Sequence, residues 1–311
     1  MKVAIIGTGQ IAQRHLNAFR NIPDVVLVAH LATSQSKADS AAHQWGGRGY
    51  TDLETLLRHD KPDAVWITVP PHQHGAYEQT LLASHIPFLV EKPLSADRQT
   101  AETIAAAIAR TGTLAAVGYN WRALDTLPRL RQQLTRTPVR MVVGAFHVNT
   151  PPAVWWRHQA ESGGQMVEQA THLIDLARSL IGEGTLLCAQ SARVARPAYP
   201  DADIAGVSAA MIRFQPDVVG VFSATNILAQ GADVRLQLMC EDTLITITRQ
   251  AVTYQQGETQ HTDTAQADSY EVQNRAFITA IQQHDPTRIY STYADALHTH
   301  RLCQEIVERS T

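Results

Sequence analysis

Long apolar runs, basic clusters and paired cysteines are all missing from this 311-residue chain, and each absence closes off a class of function. No apolar stretch approaches the roughly 20 residues that a bilayer-spanning helix needs. From Met1 the chain passes through one lysine straight into Val3-Ala4-Ile5-Ile6-Gly7, with no signal-peptide core or small-residue cleavage site, so a cytoplasmic protein with no membrane partner is expected. The formal net charge is -3 and no run of Lys or Arg gathers a local positive field, which argues against nucleic acid as a partner. Three cysteines, Cys188, Cys240 and Cys303, lie far apart and form no CxxC pair; the odd count argues against a disulfide framework, and all three read as small buried apolar residues. Fourteen histidines occur without the HExxH spacing of a zinc site, and no metal is expected. Internal repeats and low-complexity tracts are also lacking. With 44% hydrophobic and 18% charged residues, the chain reads as a globular protein long enough for two domains.

Residues 1–119 alternate short apolar runs, at 3–6, 25–31, 64–69, 88–90 and 114–117, with helical patterns at 11–21, 36–45, 53–58, 76–84 and 97–110. That alternation predicts a parallel sheet with crossover helices, an α/β fold of the Rossmann doubly wound kind. After Gly118 the pattern changes. Runs at 140–148, 186–194, 207–214, 218–225, 234–240, 244–248 and 252–254 follow one another with turn residues between them, such as Gln215-Pro216-Asp217 and Glu241-Asp242. They predict an open, mainly antiparallel sheet in a second, α+β domain over residues 120–290. One helix interrupts the series near 165–181, the polar stretch 255–267 reads as an exposed loop, and a final helix, 291–311, is expected to pack back across the domain junction.

Gly7-Thr8-Gly9-Gln10-Ile11-Ala12 follows the first strand and opens the first helix, the context a dinucleotide fingerprint requires. Gly7 permits the tight turn, Gly9 lets backbone approach a pyrophosphate, and Ala12 allows close helix packing. The helix N-terminus then offers N–H groups and partial positive charge to phosphates. An NAD-preferring site usually has an acid at the end of the second strand, on the ribose 2′-hydroxyl. Here Ala32, Thr33 and Ser34 stand in that place with Lys37 nearby, which leaves room and donors for a 2′-phosphate; NADP is slightly favoured over NAD. Ser34 also suits a helix cap.

Three further signals coincide with this start: Glu91-Lys92-Pro93 after the run 88–90, Thr68-Val69-Pro70-Pro71 with His74 after the run 64–69, and Gly163-Gly164 opening the helix that carries Glu168, His172 and Asp175. Together they resemble the Gfo/Idh/MocA family of glucose-fructose and inositol oxidoreductases, along the chain from residue 1 to the final helix. The resemblance implies an active site in the cleft between a Rossmann domain and an open sheet, and homodimers or homotetramers built through that sheet. It implies that Pro70, His74, Glu91 and Lys92 serve the cofactor and that the Lys92–Pro93 peptide is frequently cis. It implies an Asp where this chain has Glu168, so the longer side chain shifts a substrate hydroxyl contact or orients His172 differently.

Lys92 sits at the carboxyl end of a parallel strand, where ligands bind in such sheets, and its ammonium can hydrogen-bond a reacting hydroxyl or carbonyl oxygen. Glu168, His172 and Asp175 are spaced i, i+4 and i+7, which at about 100° per residue puts them on one helix face. An imidazole can take a proton from an alcohol near neutral pH as hydride leaves the same carbon. Lys92, His172 and Glu168 are therefore the candidate catalytic residues, and Asp175 would touch substrate or hold the other histidine nitrogen. Asn120 and Arg122 after the run 114–117, and Trp156 and Arg157 before Gly163, suit the apolar faces and hydroxylated edge of a sugar or cyclitol ring; the tryptophan fits the core equally well. The expected function is NAD(P)-dependent hydride transfer to or from a sugar-like substrate. A non-catalytic dinucleotide sensor of the same fold needs Gly7 and Gly9 but has little use for Lys92 and His172. A lyase or hydrolase using held NAD transiently is not separable from the first reading by sequence.

Overall fold

Short apolar runs bounded by turns build the first sheet of the computed structural model, which describes residues 1–214 and 217–310. Strands β1 (Lys2–Ile6), β2 (Val26–Leu31), β3 (Arg48–Tyr50), β4 (Ala64–Ile67), β5 (Phe88–Val90) and β6 (Ala115–Val117) pair in parallel in the order β3-β2-β1-β4-β5-β6. Val3 and Ile5 enter one core while Ala4 and Ile6 enter the other. Both faces are covered, which is why these strands read as unbroken apolar runs. The order reverses direction beside β1, so the loops after β1, β4 and β5 leave the carboxyl ends of three adjacent strands, the place where open α/β sheets bind ligands. β3, only three residues long and without an apolar run, is not anticipated by the sequence.

The first unit is not continuous in sequence. It comprises Met1–Ser95, Gln99–Ala123 and Asp268–Leu297, whereas the sequence reading assigns residues 120–290 to the second domain and 291–311 to a separate helix. The reason is a helix the sequence reading misses, Ser269–Gln283, capped by Asp268 through the Tyr270 N–H. It buries Phe277 and Ile278 in the same core as Val3, Ile5, Leu16 and Trp66, with the Phe277 ring 5.5 Å from that of Trp66 at 70°. The final helix, Tyr293–Arg309, contributes residues as far as Leu297 to this unit and the rest to the second.

The second unit, mainly Leu124–Ala267 and the chain from His298 onward, holds β7 (Val139–His147), β8 (Gly184–Ala192), β9 (Val207–Phe214), β10 (Val218–Thr225), β11 (Asp233–Cys240), β12 (Leu244–Ile247), β13 (Ala251–Gln256) and β14 (Thr259–Thr264). They form one sheet in the order β14-β13-β12-β11-β7-β10-β9-β8, antiparallel except for the β7–β10 pair. β14 replaces the loop expected over 255–267: its six residues are nearly all exposed, so no apolar alternation marks it. The turn expected at Gln215-Pro216-Asp217 falls in part outside the described residues. Along β9 and β10 burial alternates strictly, with Ile212, Phe214 and Phe222 on the covered face and Met211 and Val219 on the open one. Cys188 is exposed and Cys240 half-buried, against the expectation that all three cysteines are interior. Cys303 is buried, and loss of solvation pushes its thiol up to about 12.

Replacing Phe277 with Ala removes a ring from a core with little room to collapse. A loss of about 3–5 kcal/mol in urea unfolding is expected, whereas a cost under about 1 kcal/mol would mean that the helix is not integral to the first unit.

Candidate active site

Gly7 lies at φ +96, a conformation that suits glycine, and a Cβ there would stand 2.8 Å from Thr68 Oγ1 and 2.9 Å from the Thr68 carbonyl oxygen. β1 and the end of β4 therefore approach as closely as backbone allows, and the Gly7 N–H donates to Leu31 O at 2.9 Å. Gly9 differs: a Cβ there would meet nothing within 4 Å, so the space outside it is open. It is the N-cap of the helix Gln10–Phe19, with no side-chain cap bond and no acid in the first turn. Open backbone and uncapped N–H groups without a competing carboxylate are what a pyrophosphate needs. Thr8 is half-buried, Gln10 and Ile11 are exposed, and Ala12 is fully buried against the sheet. After β2, Ser34 caps the next helix by accepting from the Lys37 N–H at 3.4 Å, while the side chains of Thr33 and Lys37 stay exposed.

The loop after β4 carries half-buried Pro70 and buried His74. Glu78, which the sequence reading misses, clamps this loop: its carboxylate accepts from His74 Nδ1 at 2.7 Å and from the Gly75 N–H at 2.6 Å. In a neutral ring this contact makes Nε2 the acceptor; Nε2 is buried and without a hydrogen-bond partner among the described residues. The pair Glu78 and His74, four apart across a helix start, was the available signal.

At the end of β5, Lys92 is half-buried and its peptide bond to Pro93 is cis. Glu91, expected to serve the cofactor, is buried: one oxygen lies 3.0 Å from His15 Nε2 and the other accepts from the Lys92 N–H at 3.1 Å. Arg122, expected to face substrate, lies buried with its guanidinium 2.5 Å from Asp295 and donating to Tyr290 O. Asn120 is buried too and donates to Ser269 Oγ at 3.3 Å. Both residues thus tie the strand end to the returning segment of the first unit.

In the second unit, the helix expected over 165–181 is two pieces, Gln165–Glu168 and Thr171–Ile181. The break shows in the hydrogen bonds: the Ala170 N–H reaches back five residues to Gln165 O. Glu168 therefore does not share a continuous helix face with His172 and Asp175. Its carboxylate accepts from Trp156 Nε1 at 2.7 Å, and Trp156 itself is core. Gly163 and Gly164, at φ +75 and +82, make the sharp entrance. His172 is buried on Thr171–Ile181. Asp175 accepts from Thr299 Oγ1 at 2.8 Å, and that hydroxyl accepts in turn from Arg178 Nη1 at 2.6 Å, a link from Asp175 to the final helix. Arg157 is paired to Asp201 at 3.2 Å and lies over the Tyr199 ring. Among the described residues no group of three His, Cys, Asp or Glu side chains could hold a metal ion, and no helix is long and apolar enough to cross a membrane.

Residues 1–119 match the family model described as oxidoreductase family, NAD-binding Rossmann fold, and residues 137–246 match the GFO/IDH/MocA C-terminal domain. The chain belongs to the Gfo/Idh/MocA oxidoreductase family. The chain is 25% identical to glucose-6-phosphate 3-dehydrogenase of Bacillus subtilis over 56% of this chain, a match that spans about half, 52%, of that relative's length. It is 27% identical to the myo-inositol dehydrogenase Hyg17 of Streptomyces leeuwenhoekii over 78% of this chain and 74% of that one. In fold it is similar to KijD10, a 3-ketoreductase from Actinomadura kijaniata in complex with NADP and TDP-benzene, with TM-score 0.87, 19% identity and coverage of 99% and 97%. GenD2 from gentamicin A biosynthesis, in complex with NAD, gives TM-score 0.85 at 20% identity, covering 100% of this chain and 93% of that one. A parallel Rossmann sheet followed by a mainly antiparallel one is thus the family architecture.

Gly7→Ala puts a methyl group into Thr68 at a φ that costs about 1–3 kcal/mol for most residues. NADPH and NADH titrations should show binding weakened by about tenfold or more, one decade being about 1.4 kcal/mol; unchanged affinity would remove the loop from the cofactor site.

Proposed function

We propose that this chain is an NAD(P)-dependent dehydrogenase or reductase acting on a sugar, polyol, cyclitol or related carbonyl compound. The observation that carries the reading is the convergence of three loops at the carboxyl ends of β1, β4 and β5: the open Gly9 turn, the His74 clamp and half-buried Lys92. Gly7, Thr8, Gly9 and the first N–H groups of the helix Gln10–Phe19 hold the pyrophosphate, with Pro70 and His74 beside the ribose; His74 Nε2, the acceptor of a neutral ring, takes a hydroxyl hydrogen. Thr33, Ser34 and Lys37 face the adenosine 2′ position, and the lack of an acid there supports NADP over NAD. When bound, the nicotinamide accepts or supplies the hydride.

The protein's own groups handle the proton and the oxygen. Lys92 donates a hydrogen bond to the reacting oxygen and steadies negative charge on it, and His172 takes the hydroxyl proton in oxidation or returns it in reduction. Asp175, held through Thr299 and Arg178, keeps that part of its helix in place. Glu168, fixed by the Trp156 indole, presents its carboxylate as a hydroxyl acceptor, and Arg157 serves the substrate's polar rim. The relatives' names, two sugar or cyclitol dehydrogenases and a ketoreductase, support the substrate class. Such a reaction draws on the nicotinamide pool of the cytoplasm, the compartment expected from the sequence.

Turnover on a panel of aldoses, polyols, cyclitols and their keto derivatives, followed by nicotinamide absorbance, tests the reading. Lys92→Ala and His172→Ala should each lower kcat by about a hundred- to ten-thousand-fold, with cofactor affinity nearly unchanged in His172→Ala. Binding of either cofactor without turnover on any substrate would instead favour a dinucleotide sensor.

The open face of the second sheet, with exposed Met141, Met211 and Val219 on neighbouring strands, supports homo-oligomers formed through that face. Light scattering of Met211→Glu against the parent chain should show a dimer or tetramer reduced to monomers; a monomeric parent chain would remove this part of the proposal.

A further inference from the structure

Four buried polar side chains of the first unit form a hydrogen-bonded chain that the chemistry above leaves unused. Trp66 Nε1 donates to Asn274 Oδ1 at 3.0 Å, and His15 Nδ1 lies 2.9 Å from that same oxygen. His15 Nε2 lies 3.0 Å from Glu91 Oε1, and the Lys92 N–H donates to Glu91 Oε2 at 3.1 Å. His15 and Asn274 are fully buried and Glu91 is 4% exposed.

Donor and acceptor chemistry fixes the protons. An indole N–H can only donate, so the Asn274 atom facing Trp66 must be the oxygen. An amide oxygen can only accept, so His15 Nδ1 must carry a hydrogen. A neutral imidazole has one N–H, which would leave Nε2 as a lone pair set against a carboxylate oxygen at 3.0 Å. That contact is attractive only with a second proton in it. Imidazole is more basic than a carboxylate, and the proton belongs on the ring.

We infer that His15 is an imidazolium that neutralises Glu91 from within, and that His15 and Asn274 are positioning residues for Lys92. They hold the carboxylate that fixes the backbone amide at the start of the Lys92–Pro93 turn. Three elements meet at this ring: the helix Gln10–Phe19 that begins at Gly9, the end of β5, and the helix Ser269–Gln283. Tyr270, from the last of these, meets the imidazole edge-on at 5.2 Å. The seat of the pyrophosphate and the lysine turn are thus joined through one proton. The positioning role rests on the reading of Lys92 as the group that serves the reacting oxygen; the protonation of His15 does not.

Two measurements on the full chain with NADPH bound test this without a substrate. Ring-nitrogen NMR at about pH 8, where a solvated imidazole is mostly neutral, should show both His15 nitrogens protonated, the resonances being identified by their loss in His15→Gln. In Glu91→Gln the amide can donate to Nε2, and the ring should become the neutral Nδ1–H form. The chain has four lysines, Lys2, Lys37, Lys61 and Lys92, of which the first three are exposed, so acetic anhydride labelling read by mass spectrometry carries its own internal standards. Relative labelling of Lys92 should change by about threefold or more in His15→Gln and Asn274→Ala, and stay near the parent value in Glu91→Gln, which keeps the contacts and loses both charges together. A singly protonated His15 in the parent chain, or Lys92 labelling unmoved in both variants, would overturn the inference. Full turnover in Lys92→Ala would instead remove the assigned role of Lys92, while the ring-nitrogen spectrum still decides the proton.

Discussion

A carboxylate buried at the end of a parallel strand is costly unless its charge is met inside the fold, and much of the first unit is arranged around meeting that of Glu91. His15 reaches it from the helix behind the phosphate loop, and the next residue's N–H takes its second oxygen. Gly118, at the end of the neighbouring strand, must stay bare because a Cβ there would stand 2.6 Å from the carboxyl group. Asn274 holds the far side of the imidazole and is itself held by the Trp66 indole, whose ring packs edge-on against Phe19 and Phe277. Polar geometry at the strand ends and apolar packing beneath them are therefore one construction, since Trp66 belongs to both.

The same economy governs the loops that carry chemistry. Each of these candidate groups is held by a hydrogen-bonded neighbour: Glu78 at His74, Glu91 at the Lys92 N–H, Trp156 at Glu168, Thr299 at Asp175. Orientation by a second hydrogen bond restricts tautomer and rotamer, the kind of preorganisation that makes a proton transfer productive. The two glycines of the loop after β1 differ: Gly7 is required by what already crowds it, whereas the space beside Gly9 is open.

What could be read in the sequence was whatever apolar periodicity encodes. Both sheets, the phosphate loop and the lysine at a strand end follow from runs and spacing. β3 and β14 escaped because neither has an apolar face, one being three residues long and the other an exposed edge strand. Ser269–Gln283 escaped because its inward face includes the buried polar residues Gln273 and Asn274, and the network that holds Asn274 is invisible until distant segments meet; its Asp268 cap was the one local clue. The continuous Glu168–His172–Asp175 face failed at the break near Gln169–Ala170, where no glycine or proline marks it. The contacts of Arg122 with Asp295 and of Glu91 with His15 join segments far apart in sequence, which a linear reading cannot bring together.

That the first unit closes only with a segment beginning at Asp268 bears on how the chain acquires its structure. During synthesis the first 123 residues leave the ribosome without Asn274, Phe277 or Ile278, so Trp66 has no ring to pack on from that side and His15 no oxygen for its Nδ1. The whole second sheet, a topology of distant pairings and slow formation, is translated before the missing helix emerges. The opening segment of this protein must therefore wait in an unfinished state with an apolar face uncovered, and its exposure to chaperones and proteases is set by the length of the insertion that separates the two parts of the first unit.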